Sequence, residues 1–190
     1  MTFEQLEAKI GKQKASDWTQ HKNGGGWVNV KATIDATAYI GENAIVFSAQ
    51  VFGNAQVFGN AWVSGNAQVS GDARVSGNAW VSGNARVSGN AWVSGNAQVF
   101  GNAWVSGNAR VSGDAWKKSP LFIIGSRASL TNAKYGYIQI GCMCETYAWW
   151  RKHYRAIGRK QGYTPAEIKE YAEYIKLFSK VGMKTKGRVK

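Results

Sequence analysis

The chain has 190 residues, a formal net charge of +13 from 24 Lys or Arg against 11 Asp or Glu, and a mean hydropathy of −0.33. No apolar run reaches the ~20 residues of a membrane-spanning helix, which argues against membrane insertion. The start, Met1-Thr2-Phe3-Glu4-Gln5-Leu6, lacks the basic and apolar regions of a secretion signal, so a cytoplasmic protein with reduced thiols is expected.

Thr2 and Gln5 have capping-box spacing, and Phe3, Leu6 and Ile10 follow at helical intervals, predicting a short helix that caps the segment after it. Gly11 to Gly24-Gly25-Gly26 reads as a flexible connection, with Trp27, Val28 and Val30 entering the next element. Residues 1–31 are thus expected to form a cap and linker.

Between Ala32 and Trp116 a six-residue unit, Ala-x-Val-x-Gly-Asn, repeats almost without variation from Gln50 onwards. Ala and Val stand two apart, so in a strand both face inward while the residue between them faces out. The Gly-Asn pair supplies the corner, Gly without a Cβ penalty and Asn as the side chain that best tolerates positive φ. Such a unit cannot bury its own apolar side and must stack on neighbours, which makes the segment a solenoid. Eleven Gly-Asn or Gly-Asp pairs lie between Gly53 and Asp114, and one residue is missing at Phe47-Ser48-Ala49. Three units close a coil, and fifteen units give five coils, a prism roughly 24 Å long at a strand spacing of about 4.8 Å.

This pattern, with Ile40-Gly41-Glu42-Asn43-Ala44-Ile45 in characteristic form, resembles the hexapeptide-repeat superfamily. The resemblance implies a left-handed parallel β-helix over residues 32–118, an exception to the usual right-handed crossover.

Taking every third unit places Ile45/Phe47, Trp62/Ser64, Trp80/Ser82, Gln98/Phe100 and Trp116/Lys118 on one outer face. A second face carries Thr33, Gln50, Gln68, Arg86 and Trp104 with Phe52, and a third carries Tyr39, Gln56, Arg74, Trp92 and Arg110 with Phe58. On the first face every rung holds a large apolar residue. At about 150 Å² per rung this ladder hides roughly 750 Å², close to half of a standard interface. A homotrimer buried along Ile45, Phe47, Trp62, Trp80, Phe100 and Trp116 is the expectation; cover by a terminal segment of the same chain and ordinary repeat drift are the alternatives.

The repeat stops at Lys117-Lys118-Ser119-Pro120. Leu121 to Gly125 and Tyr135 to Cys144 are β-rich and separated by Ser126 to Lys134, which predicts a hairpin. Thr146 caps a predicted helix to about Ile157 or beyond, with Tyr147, Trp150, Tyr154 and Ile157 on one side and Arg151, Lys152 and Arg155 on another. Thr164-Pro165-Ala166-Glu167 is a strong helix start, and Ile168, Tyr171, Ala172, Ile175 and Phe178 follow as its core face. Residues 119–182 are therefore read as a basic ββαα module and 183–190 as a basic tail. The fold class expected is mainly β: about five triangular coils, a short N-terminal helix and this module.

The charge is unevenly placed. Residues 1–31 hold five Lys against three acids, residues 32–116 three Arg against four acids, and residues 117–190 sixteen Lys or Arg against four Glu. A near-neutral prism carrying a basic head points to an anionic partner: nucleic acid, a nucleotide, an acidic protein or an anionic membrane surface. The candidate contact residues are Arg127, Lys134, Arg151, Lys152, His153, Arg155, Arg159 and Lys160, with Tyr147, Trp149, Trp150 and Tyr154 available to stack bases.

Catalytic chemistry is not legible. Acyltransferases of the hexapeptide superfamily use a His between coils and γ-class carbonic anhydrases bind zinc through three, whereas His21 and His153 both lie outside the repeats. Cys142 and Cys144 are too close for a normal disulfide within one strand, and with His153 they are too few for a metal site, so buried thiols are expected. No cofactor is implied. Ser64, Ser70, Ser76, Ser82 and Ser88 recur with the coil and read as surface residues. The repeat joined to its compact tail, Ala32 to about Gly182, also resembles small β-helix proteins of phages and prophages. That resemblance implies an accessory or anti-defence role. The rival expectations are a protein-binding inhibitor that uses the aromatic face and an acyltransferase-like enzyme.

Overall fold

The structure, a computed structural model, describes residues 1–113, 115, 116 and 118–182; the expected basic tail at 183–190 lies outside these. It is a parallel β-solenoid of about five turns between an N-terminal helix and a C-terminal sheet with two helices.

The three faces stack as the 18-residue coil dictates. One sheet superposes Trp27, Ile45, Trp62, Trp80 and Gln98. A second superposes Thr33, Gln50, Gln68, Arg86 and Trp104, and the third Tyr39, Gln56, Arg74, Trp92 and Arg110. Inside, every Ala and Val in the inward slots from Ala44 to Val111 is at most 1% exposed. Each buried Val contributes about 1.5–3 kcal/mol, and it does so only while the coils above and below are in place. The missing residue after Phe47 shortens one coil, so that Ile45 pairs with Trp62. Ser48 alone turns that corner, at φ 55°, the one non-Gly residue with positive φ among those described.

The corners correct the role expected of Asn. Gly53 to Gly113 hold the positive φ, at 60–71°, and the Asn residues do not. Asn instead forms ladders of side-chain amides: Asn60 donates to Asn78 (3.2 Å) and Asn78 to Asn96 (3.1 Å), and Asn66 to Asn84 and Asn84 to Asn102 (both 3.3 Å). A Cβ on Gly77 would stand 3.0 Å from the backbone N and O of Gly95, so small corners are also what lets coils stack.

Outward Trp residues are tied to the coil below. Trp80, Trp92 and Trp104 each donate their indole N–H to a Ser hydroxyl sixteen residues earlier, Ser64, Ser76 and Ser88, at 3.0 Å. The recurring Ser thus has a defined partner wherever a Trp follows. Trp62 is the exception: Phe47 stands beside Ser64 in register, in the slot where Trp62 would need a hydroxyl, and the buried indole N–H of Trp62 has no partner among the described residues.

At the start, helix α1 (Phe3–Ile10) carries the capping box at Thr2 and buries Leu6. The segment expected to be a flexible connection is ordered: a 3₁₀ turn at Ala15–Asp17 leads into a strand, Trp18–Gln20, that pairs antiparallel with Trp27–Asn29. This strand closes the free edge of the first sheet, and its first residue, Trp18, is 4% exposed.

At the far end the register slips by one residue. Val99 pairs with Trp116, so Trp116 takes an inward slot rather than the outward one expected, and it is fully buried. Its ring stacks on Tyr135 at 5.9 Å and 7°, and Phe122 packs beside it against the solenoid core. Lys118 is exposed.

The C-terminal module has four antiparallel strands where two were expected: Phe122–Ile124, Ser129–Lys134, Tyr137–Ile140 and Met143–Thr146. The stretch read as a separator supplies the second, with Leu130 to Ala133 all buried. Helices α2 (Tyr147–Lys160) and α3 (Pro165–Val181) pack over the sheet around Trp150, Tyr171, Ile175 and Phe178. Gly158 permits their close approach, since a Cβ there would meet Ile168 at 2.8 Å.

Candidate functional site

Thr146 caps α2 by accepting from the N–H of Trp149, and the residues that follow divide into two sides. Tyr147, Trp150 and Gly158 are buried, whereas Arg151, Lys152, Arg155, Arg159 and Lys160 are exposed. At 100° per residue, Arg151, Arg155, Arg159 and Lys152 fall within one stripe. The helix contains no Asp or Glu. None of these five cations is in an ion pair; among the described residues the ion pairs are Arg127–Glu167 (2.8 Å) and Lys176–Glu173 (3.6 Å).

The remaining predicted contacts sit at the two ends of α2. Lys134 lies near its first turn, where the N–H of Tyr147 bonds to Gly136, with its ammonium 4.0 Å from the ring centre of Tyr137. Arg127 lies near its last turn, donating Nε to Glu167 and Nη2 to the carbonyl of Gly162 (3.2 Å) and covering the Tyr163 ring. That pairing holds the Glu167 carboxyl below its usual range, helped by the N–H of Thr164. Arg127 is thereby largely committed to structure. His153 stacks on Trp149 at 4.3 Å and its Nδ1 bonds to the Trp149 carbonyl, while Arg155 Nε donates to the Tyr154 hydroxyl (2.9 Å).

Two of the aromatics expected to stack bases belong to the core. Tyr147 and Trp150 are buried, Trp150 donating its indole N–H to the Ile138 carbonyl. Trp149 and Tyr154 remain half-exposed.

The cysteines are not both buried as expected: Cys142 is exposed and Cys144 half-buried, and both are free thiols. Burial raises the Cys144 pKa, which disfavours a reactive thiolate. Among the described residues no group of three or more His, Cys, Asp or Glu could hold a metal ion, and no helix is long and apolar enough to cross a membrane.

The aromatic ladder is covered in part by its own chain. Leu6, Trp18 and Ile45 form one buried cluster, against which Phe3, Trp27, Phe47 and Trp62 pack. Trp18 stacks on Phe47 at 5.8 Å, Phe3 meets Trp27 edge-on at 5.5 Å, and Lys9 reaches Asn60 (3.3 Å). With Ile45 3% exposed and Trp116 turned inward, neither presents the outward surface expected of it. What the face leaves open is Trp80, 41% exposed and stacked on Trp62 at 5.3 Å, and half-exposed Phe100.

A family described as the YdcK β-solenoid repeat matches the chain at residues 49–65, 67–83, 79–95, 97–113 and 103–117, all within or at the end of the coils. The chain is a β-helix repeat protein by sequence and by structure. Comparison with curated proteins and with solved structures gave no match.

Proposed function

We propose that the solenoid is a non-enzymatic scaffold that presents the basic face of α2 to an anionic macromolecule, in the first instance nucleic acid. The observation that carries this is the acid-free stripe of Arg151, Lys152, Arg155 and Arg159, exposed and without ion pairs among the described residues, beside half-exposed Trp149. Clustered, unneutralised cations on one helix face match a phosphate backbone, and a half-exposed indole adds a stacking surface for an unpaired base. Binding is expected to follow charge and strand geometry. Self-association into a homotrimer is the secondary proposal and rests on Trp80 and Phe100. An accessory role for a phage against host defence rests on the resemblance of repeat and tail.

The test is fluorescence anisotropy with labelled single-stranded RNA and duplex DNA at low salt. The wild-type chain is expected to bind at least one, and replacing Arg151, Lys152 and Arg155 with Gln together is expected to weaken binding at least tenfold while leaving the circular dichroism spectrum unchanged. No binding of either probe overturns the proposal.

A further inference from the structure

Where the C-terminal sheet meets the last coil, a cleft of about 420 Å³ opens between Asn108 and Arg110 on the solenoid and Arg127, Ser129 and Thr131 on the module. A second hollow of about 200 Å³ shares Arg110 and continues over Trp92. Together they fall within the range of small-molecule sites, which favour the junctions between structural units.

Among the described residues the lining is rich in donors and carries no carboxylate. The Arg110 guanidinium is exposed, lies 5.7 Å from the centre of the Trp92 ring and has neither a hydrogen bond nor an ion pair among the described residues. Asn108 ends its ladder: it accepts from Asn90 (3.3 Å), and position 126, where the next rung would come, is Ser, so its own amide N–H donates to no residue among those described. Thr131 is 3% exposed as a residue, and its hydroxyl has no hydrogen-bond partner among the described residues but keeps access to the cleft that Thr131 lines. Ser129, two residues earlier on the same strand, is half-buried, lines the same cleft, and its hydroxyl likewise has no partner among the described residues. Hydroxyls open to the cleft and an unused amide beside a free guanidinium suit an anion with several acceptor oxygens. The adjoining Trp92 ring, bordered by Arg110, suits a planar group attached to that anion.

We propose that this junction binds a phosphorylated ligand of mononucleotide size, its phosphate meeting Arg110, Asn108 and the hydroxyls of Ser129 and Thr131, its ring lying toward Trp92. The site is separate from α2 and does not depend on nucleic-acid binding there.

The probe is AMP, titrated into the full chain and followed by two-dimensional NMR, with inorganic phosphate titrated in parallel. Saturable shifts are expected at the Trp92 indole N–H, which is bonded to Ser76, and at the amides of residues 129–131. Arg110→Gln is expected to weaken AMP by at least about tenfold, the loss of one charge-assisted contact. Thr131→Val, which keeps the shape and removes the hydroxyl, should weaken it a few-fold. Arg86→Gln, removing the same charge from another face, should leave it unchanged. Absence of shifts at these positions well above about 1 mM AMP, or equal affinity in Arg110→Gln, overturns the site. Phosphate binding as tightly as AMP overturns the ring contact. Nucleic acid read at α2 and AMP read at the junction are separate signals, so either proposal can fail alone.

Discussion

The solenoid and the module at its end solve the same problem, burying apolar surface, in opposite ways. The solenoid repeats one answer: Ala and Val inward, Gly at the corner, Asn amides laddered outside, with a net charge close to zero. The module uses each residue once, with a buried polar Asn132, an aromatic core and most of the net charge. Redundancy gives the solenoid rigidity and leaves its surface chemically monotonous. The irregular module carries the acid-free stripe of α2, and the cleft opens where the module meets the last coil, which is why function is proposed for α2 and for that junction rather than for the faces of the coils.

The largest expected effect comes from the residue joining the two regions. Trp116→Ala empties a fully buried indole site between the coil end and Tyr135, and a loss of about 3–5 kcal/mol is expected by denaturant titration. If the regions are as distinct as their construction suggests, the single transition should split into two. Next is the rule of the corners. Gly77→Ala combines positive φ with backbone 3.0 Å away and should cost about 3 kcal/mol, whereas Gly113→Ala, with nothing within 4 Å among the described residues, should cost about 1 kcal/mol. Equal losses would mean that stacking distance does not limit the corners.

In the module, the Tyr171 hydroxyl donates to the Ala128 carbonyl (2.7 Å) and accepts from the N–H groups of Arg127 and Ala128. Tyr171→Phe leaves these backbone groups without their partner and should cost about 1–3 kcal/mol, with hydrogen exchange at 127–128 accelerated. Asn78→Ala removes one rung of an exposed ladder and should cost only about 1 kcal/mol, because neighbouring rungs persist. Smallest is the response to acid. Glu167 titrates below its unfolded value because of Arg127, so its contribution is present above that value and is lost as pH falls through the folded one. Stability should therefore decline on acidification toward pH 3, and less steeply in Glu167→Gln.

The same contrast decides what could be read from the sequence. All three faces of the coil were legible, residue by residue from Ile45 to Arg110, because a period of six and the alternation of strand side chains leave no freedom. Legibility ended where a neighbour outside the repeat sets the register. Trp116 turns inward because Tyr135 offers it a stacking partner, and no local pattern announces that. The strand Ser129–Lys134 was missed because it alternates neither in polarity nor in burial: its Asn132 is fully buried, donating to the Lys134 and Tyr137 carbonyls. The edge strand Trp18–Gln20 has three residues and stands among turn formers. The stripe on α2 was visible at helical spacing, while the contacts that occupy Arg127 and His153 were not. The junction cleft was invisible, since it joins residues 90–110 to residues 127–142, parts of the chain that only the fold brings together.

The central claim, that charge on α2 and not on the coils engages nucleic acid, is tested most directly by the salt dependence of binding. With labelled RNA, the logarithm of affinity should fall linearly with the logarithm of salt concentration, and the slope should flatten by about 2 when Arg151, Lys152 and Arg155 are replaced with Gln, close to 0.7 per lost contact. Replacing Arg74, Arg86 and Arg110 on the coils should leave the slope unchanged. An identical slope in the α2 variant, or a flattened one in the coil variant, would contradict the account.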